Sequence, residues 1–167
     1  MRFAISDASP LIGLALVDGL SWLPELLGKV WVTPSVLREV LPVQQARGKE
    51  LIADALTRDW ISQYAGQISE PENASSLDEL DKGERDSLAL ALMQERGSAI
   101  VLIDERLGRA AAIENGLFVV GTAGLIGAAK KRGLIAAAKP SFAKLHASDF
   151  RISASVINTV LGSIREL

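Results

Sequence analysis

The chain has 167 residues and a formal net charge of −2, with 49% hydrophobic and 23% charged residues. That balance suits one ordinary domain with a buried core and excludes a disordered chain or a broad basic coat for nucleic acid. Cysteine is absent and His146 is the only histidine, which excludes disulfide frameworks, zinc–thiolate and iron–sulfur sites, thiol nucleophiles and multi-histidine metal centres.

Residues 3–6 read as a short buried strand, with Ser9-Pro10 as cap and first helical position of a helix over 11–20. A second short helix over 22–27 stops at Gly28. Residues 29–32 form the second strand. Thr33-Pro34 repeats the cap-plus-proline signal and opens a helix through Val36, Leu37, Val40 and Leu41. Residues 43–58 read as a helix with one polar face, and Trp60-Ile61 as a short third strand. The polar stretch 65–79, with Gly66, Pro71 and two serines, reads as a surface loop. A helix over 82–96 closes at Gly97, and the Val- and Ile-rich run 99–103 is a buried strand. A helix over 105–115 stops at Gly116, residues 117–120 make another strand, and a helix over 123–132 ends at Gly133.

Strands alternating with helices imply an α/β fold, a parallel sheet of about five strands with helices on both faces. Residues 1–135 form the expected core and 136–167 a helical extension. Val156, Ile157, Val160, Leu161 and Ile164 give the extension an apolar stripe, to be packed on the core or on a dimer partner. No signal-peptide pattern and no run of 18 apolar residues occurs, so a soluble cytoplasmic protein that does not touch membranes is expected.

The acids carry the chemistry. Ligands of open parallel sheets bind beyond the carboxyl ends of the strands. Asp7 follows the first strand and Asp104 the 99–103 strand. The helices after strands begin at that same edge, which brings in Glu39 and Glu84. Four carboxylates, distant in sequence, converge there. Crowded like charges favour a bound cation, and an all-oxygen donor set suits Mg²⁺ or Mn²⁺. Metal-assisted phosphodiester hydrolysis is the matching chemistry.

Each acid also has a plainer reading. Asp7 and Asp104 each suit a helix cap. Asp81 and Glu84 match a capping box. Glu39 lies off the apolar stripe and suits a solvated face, and Glu105 suits an i,i+4 pair with Arg109. Arg106 and Arg109 are the leading candidates to hold phosphate, with Arg38 and Arg85 behind them. Lys130-Lys131-Arg132 complements a helix C-terminus. Trp22, Trp31 and Trp60 read as core or interface residues, and His146 as packed or solvated.

The segments Ile5-Ser-Asp-Ala-Ser-Pro-Leu-Ile12, Thr33-Pro-Ser-Val-Leu-Arg-Glu-Val40, Lys82-Gly-Glu-Arg-Asp-Ser-Leu-Ala-Leu-Ala91, Leu102-Ile-Asp-Glu-Arg-Leu-Gly-Arg109 and Val119-Val-Gly-Thr-Ala-Gly-Leu125 together resemble the PIN-domain nucleases, most closely a prokaryotic branch. The resemblance spans about residues 2–135, and the tail suits the same branch. It implies a five-stranded parallel sheet, an acidic pocket for Mg²⁺ or Mn²⁺, and cleavage of RNA. Many relatives are VapC-type toxins, often homodimeric and paired with a small antitoxin protein. By position Asp7, Glu39, Glu84 and Asp104 match the family's acidic quartet, and Ser9 the hydroxyl that supports the first acid. The third acid of the family is usually Asp, so Asp86 competes with Glu84. Leu102 stands where the family often has Thr or Ser.

Two other classes are weighed against the nuclease. One is a catalytically weak PIN fold that binds RNA or a partner. The other is an unrelated α/β domain with an acidic pocket. A phosphatase of the DxD kind would need an acid where Ser9 stands, and a receiver domain a Lys where Gly121-Thr122 stand. No glycine-rich phosphate loop is present.

Overall fold

The computed structural model describes residues 2–167. Five short strands, β1 (Phe3–Ser6), β2 (Val30–Val32), β3 (Ile61–Gln63), β4 (Ala99–Leu102) and β5 (Phe118–Val120), form one sheet in the order β3-β2-β1-β4-β5. Every pairing is parallel. The helices among the described residues are α1 (Ala8–Leu16), α2 (Trp22–Leu27), α3 (Pro34–Val40), α4 (Lys49–Thr57), α5 (Lys82–Leu92), α6 (Arg106–Glu114), α7 (Thr122–Lys131), α8 (Lys139–Ala147) and α9 (Ala154–Ser163). None is long and apolar enough to cross a membrane.

Strand alternation divides the interior in two. Ala4, Val30, Val32 and Leu102 face a core with α1–α4, α7, α8 and α9. Ile5, Val101 and Ile103 face a second core with α5, α6, Leu77 and Leu80. Both faces of the sheet are covered, which is why β1 and β4 are apolar without a polar face. The chain steps outward from β1 to β2 to β3, then crosses through α5 to β4 on the other side of β1. The direction reverses between β1 and β4, and a crevice opens there at the carboxyl ends of the strands.

Several elements differ from the sequence expectation, each for a local reason. The first helix starts at Ala8, with Asp7 and not Ser9 in the N-cap position, and it ends at Leu16 ahead of a left-handed Asp18. The 43–58 helix is only α4. Gly48 precedes it in the left-handed region at φ 71°, which interrupts the helical run, and only glycine fits there because a β-carbon would stand 2.8 Å from Ala15 Cβ. The helix expected over 82–96 stops at Leu92.

The 65–79 segment is more than a surface loop. It contains a 3-10 turn, Ser75–Leu77, that buries Leu77 in the second core. Arg85 ties it to α5 through Glu70 at 2.9 Å and Asp78 at 3.6 Å. The tail is two helices. Ile157, Val160, Leu161 and Ile164 of its apolar stripe join the core, with Gly127 of α7 leaving room for Val160, while Val156 is exposed; Glu166 accepts bonds from the Ala138 and Lys139 amides. Trp22 is buried. Trp31 is half-buried, stacked on Phe3 and edge-on to Tyr64.

Candidate functional site

A cleft of about 250 Å³ opens at the β1/β4 reversal, lined by Asp7, Ala8, Ser9, Glu39, Asp81, Glu84, Glu105, Arg106 and Leu107. Asp7 is placed by the sheet itself. Its amide donates to the Leu102 carbonyl at 2.9 Å, carrying the β1–β4 ladder one residue past the strand. Its side chain makes no capping bond to α1. The residue is 4% exposed, and Oδ1 is buried without a hydrogen-bond partner.

Glu39 arrives on α3, which starts sharply because Thr33 caps it, accepting from the Val36 amide at 3.3 Å with Pro34 next. Glu84 arrives on α5 through a complete capping box. Asp81 accepts from the Glu84 amide at 2.9 Å, and Glu84 Oε2 accepts from the Asp81 amide at 3.2 Å. The cap and the cleft are therefore the same residues. Gly83 lets α5 approach α3 closely. A β-carbon there would stand 3.1 Å from Glu39 Oε2, 3.3 Å from Asp7 Oδ1 and 3.3 Å from Val36 Cγ2, so two carboxylates face each other over one glycine. On the opposite wall, α6 passes near Glu84 at Gly108, where a β-carbon would stand 3.1 Å from Glu84 Oε1.

Burial and mutual repulsion raise these acids. Asp7 is pushed up to about 8, mainly by burial. The nearby Ala8 amide opposes the rise, and the charges of Glu84, Asp81 and Glu39 add to it. Burial raises Glu84, with Asp81's charge next and the Asp81 amide opposing. Glu39 is raised by burial and then by Asp81. A cleft that holds its carboxylates against their charge favours a cation.

Asp104 has a different setting. Its Oδ1 accepts from the Thr122 amide at 2.7 Å and its Oδ2 from the Thr122 hydroxyl at 2.8 Å. Arg109 lies alongside, donating from Nη1 to the Ile103 carbonyl at 3.0 Å. Burial raises Asp104, while Thr122 and Arg109 pull it back. Neither Asp104 nor Arg109 lines the cleft, whereas Arg106 does. Asp86 points away, paired with Lys82 at 3.2 Å, so Glu84 is the α5 acid at the cleft. Ser9 lines the cleft beside Asp7. Arg38 is exposed, and Arg85 is engaged with Glu70. Lys130 bonds the Ala136 carbonyl, and His146 is exposed on α8.

From sequence Asp81 reads only as a cap and Glu105 only as a helix pair partner. Both line the cleft. The signal was available: an N-cap at the carboxyl edge of a parallel sheet lies at the ligand crevice by construction of the fold.

The DUF3368 family model, a PIN domain, matches residues 3–166, nearly the whole chain including the tail. No curated protein and no solved structure matches the chain significantly.

Proposed function

Because the chain belongs to the PIN-domain family, we propose that it is a metal-dependent endoribonuclease whose site is the acidic cleft. PIN domains are generally nucleases, and the family match supports that class of activity. The observation that carries the finer reading is Asp7 Oδ1, buried, partnerless and flanked by Glu39 and Glu84. An unpaired buried acceptor is costly, and it persists where a ligand completes it.

The donor set fits Mg²⁺ or Mn²⁺: hard oxygens, with neither thiolate nor imidazole beside them. Among the described residues no three such side chains are close enough to hold an ion by themselves. Mg²⁺ does not require that, because it binds through one or two carboxylates and keeps its remaining places for water and substrate phosphate. Asp7, Glu39 and Glu84 would hold the ion between them, one or two of them directly and the rest through water. When bound, it supplies polarisation of the phosphoryl oxygen and a lowered pKa for the attacking water.

The chain's own residues do the rest. Asp7, raised to about 8, keeps its carboxyl proton near neutral pH and would release it to solvent when a cation binds, so that its oxygens become charged donors. The Asp81 amide fixes the Glu84 carboxylate in orientation. Arg106, on the rim, binds the phosphate of the strand, and Ser9 flanks Asp7. With a net charge of −2, contact with RNA is local to this rim. The family resemblance further supports a toxin role, with a small antitoxin protein as partner, a homodimer as the working form and the cytoplasm as its place.

The test is cleavage of a mixed single-stranded RNA pool with Mn²⁺, Mg²⁺ or EDTA, beside Asp7→Asn prepared identically. Metal-dependent cutting that disappears in the variant is expected. Metal binding by the wild type without cutting would replace the nuclease by an RNA- or partner-binding module.

A further inference from the structure

The two acids that follow β4 have divided roles. Asp104 is committed on both oxygens to a single residue, Thr122, which is fully buried at the first position of α7. Turning Asp104 into the cleft would leave a buried amide and a buried hydroxyl without their acceptor. The backbone also walls it in: a β-carbon at Gly121 would stand 2.8 Å from Asp104 Oδ1 and 3.1 Å from Arg109 Nη1.

Glu105 has none of these ties. It occupies the N-cap position of α6 by backbone conformation alone, with φ −62° and ψ 134°, and its side chain makes no cap bond. It lines the cleft with Asp7, Glu39, Asp81, Glu84 and Arg106. Its extra methylene gives it longer reach than an aspartate at the same place. Asp7, more than nine-tenths buried and with its Oδ1 partnerless, lines that same cleft.

We propose that Glu105, exposed on the cleft wall, and not Asp104, is the acid after β4 that serves the divalent ion, directly or through water, and that Asp104 is a structural acid joining the end of β4 to the start of α7. This rests on the metal-binding reading of the cleft given above. Glu105 would then serve the ion from the α6 wall of the cleft, and Arg106 beside it would meet the phosphate. The Asp104–Thr122 bonds hold the β4–β5 edge in place whether or not an ion is present.

The experiment is Mn²⁺ titration by calorimetry, with thermal melts in EDTA, on wild type, Asp7→Asn, Glu105→Gln, Asp104→Asn and Thr122→Val. Glu105→Gln is expected to weaken Mn²⁺ binding about tenfold or more, at least what losing an outer partner costs at a metal site, with the metal-free melt unchanged. Asp104→Asn and Thr122→Val are expected to lower the metal-free melting temperature and to keep Mn²⁺ affinity within about threefold of wild type, about 0.7 kcal/mol. Should Asp104→Asn fail to fold, Thr122→Val breaks the same bonds from the other end and carries the comparison. Wild-type affinity in Glu105→Gln, or a folded Asp104→Asn or Thr122→Val that loses Mn²⁺ binding, overturns the proposal while leaving the cleft a metal site. Absence of Mn²⁺ binding by wild type overturns the metal reading itself, and this inference with it.

Discussion

Asp7 and Asp104 follow two neighbouring strands that pair residue for residue, Ser6 opposite Leu102, yet one carboxylate is satisfied and the other is not. On the β4 side, Thr122 engages both oxygens of Asp104, and Arg109 adds a positive charge. On the β1 side, Asp7 has other acids for neighbours and an oxygen with no partner. The two halves of one edge thus hold an acid in opposite settings, hydrogen-bonded on one side and without a partner on the other. Strand-end position fixes where an acid stands. What faces it fixes what it does.

The largest effect that tests this contrast is on cleavage. Asp7→Asn is expected to reduce metal-dependent RNA cutting by roughly 10²–10⁴-fold, the range for groups that act on the reacting atoms. Retained activity would erase the distinction between the two halves.

Stability should move the other way. In the folded chain Asp7 keeps its proton up to about pH 8, while the unfolded chain releases it near 3.8. The native state binds more protons between those values, so Asp7's contribution to stability is full below about pH 3.8 and is lost as pH rises to about 8. At 1.36 kcal/mol per pKa unit the loss has an upper bound of several kcal/mol, on the order of 5. In EDTA, the Asn variant is therefore expected to gain stability over wild type as pH is raised from about 5 to 8.5. Added Mn²⁺ should restore wild type and leave the variant unmoved. Denaturant melts at the two pH values check this.

A matched pair of glycines sharpens the contrast further. Gly121→Ala drives a β-carbon into Asp104 and Arg109, and a loss of about 1–3 kcal/mol is expected from the overpacking, with Mn²⁺ affinity kept. Gly83→Ala pushes on Glu39, which is exposed and can swing aside, and less closely on buried Asp7 and Val36, and its helix propensity gain of up to about 1 kcal/mol offsets the crowding. Its expected signature is weaker Mn²⁺ binding at nearly unchanged stability. The smallest effect belongs to Asp86→Asn. Its partner Lys82 is 71% exposed, so stability should change by less than about 0.5 kcal/mol and cleavage not at all.

The parallel α/β architecture and three of the cleft acids were legible in the sequence. Asp7, Glu39 and Glu84 follow from strand ends and helix starts in an alternating chain, because parallel connections put those positions on one edge. Four things were not legible. The Asp104–Thr122 pairing spans 18 residues and depends on β4 and β5 lying side by side, Leu102 opposite Val120. The choice between Glu84 and Asp86 is a matter of helix phase, and the apolar turn that follows carries no phase information. Burial of Leu77 was hidden because one leucine in a polar stretch gives no periodicity. The late start of α4 was hidden because the left-handed Gly48 is set by its contact with α1.

The amide of Asp7 adds a last consequence, since it belongs to the sheet and not to a loop. Its bond to Leu102 opens only when β1 and β4 part, and those are the central strands. Deuterium exchange at this one position should therefore proceed through cooperative unfolding and not through local breathing. A single backbone hydrogen then reports the integrity of the whole domain from within its acidic cleft, and its exchange rate slows by whatever free energy a bound ion adds to the folded state.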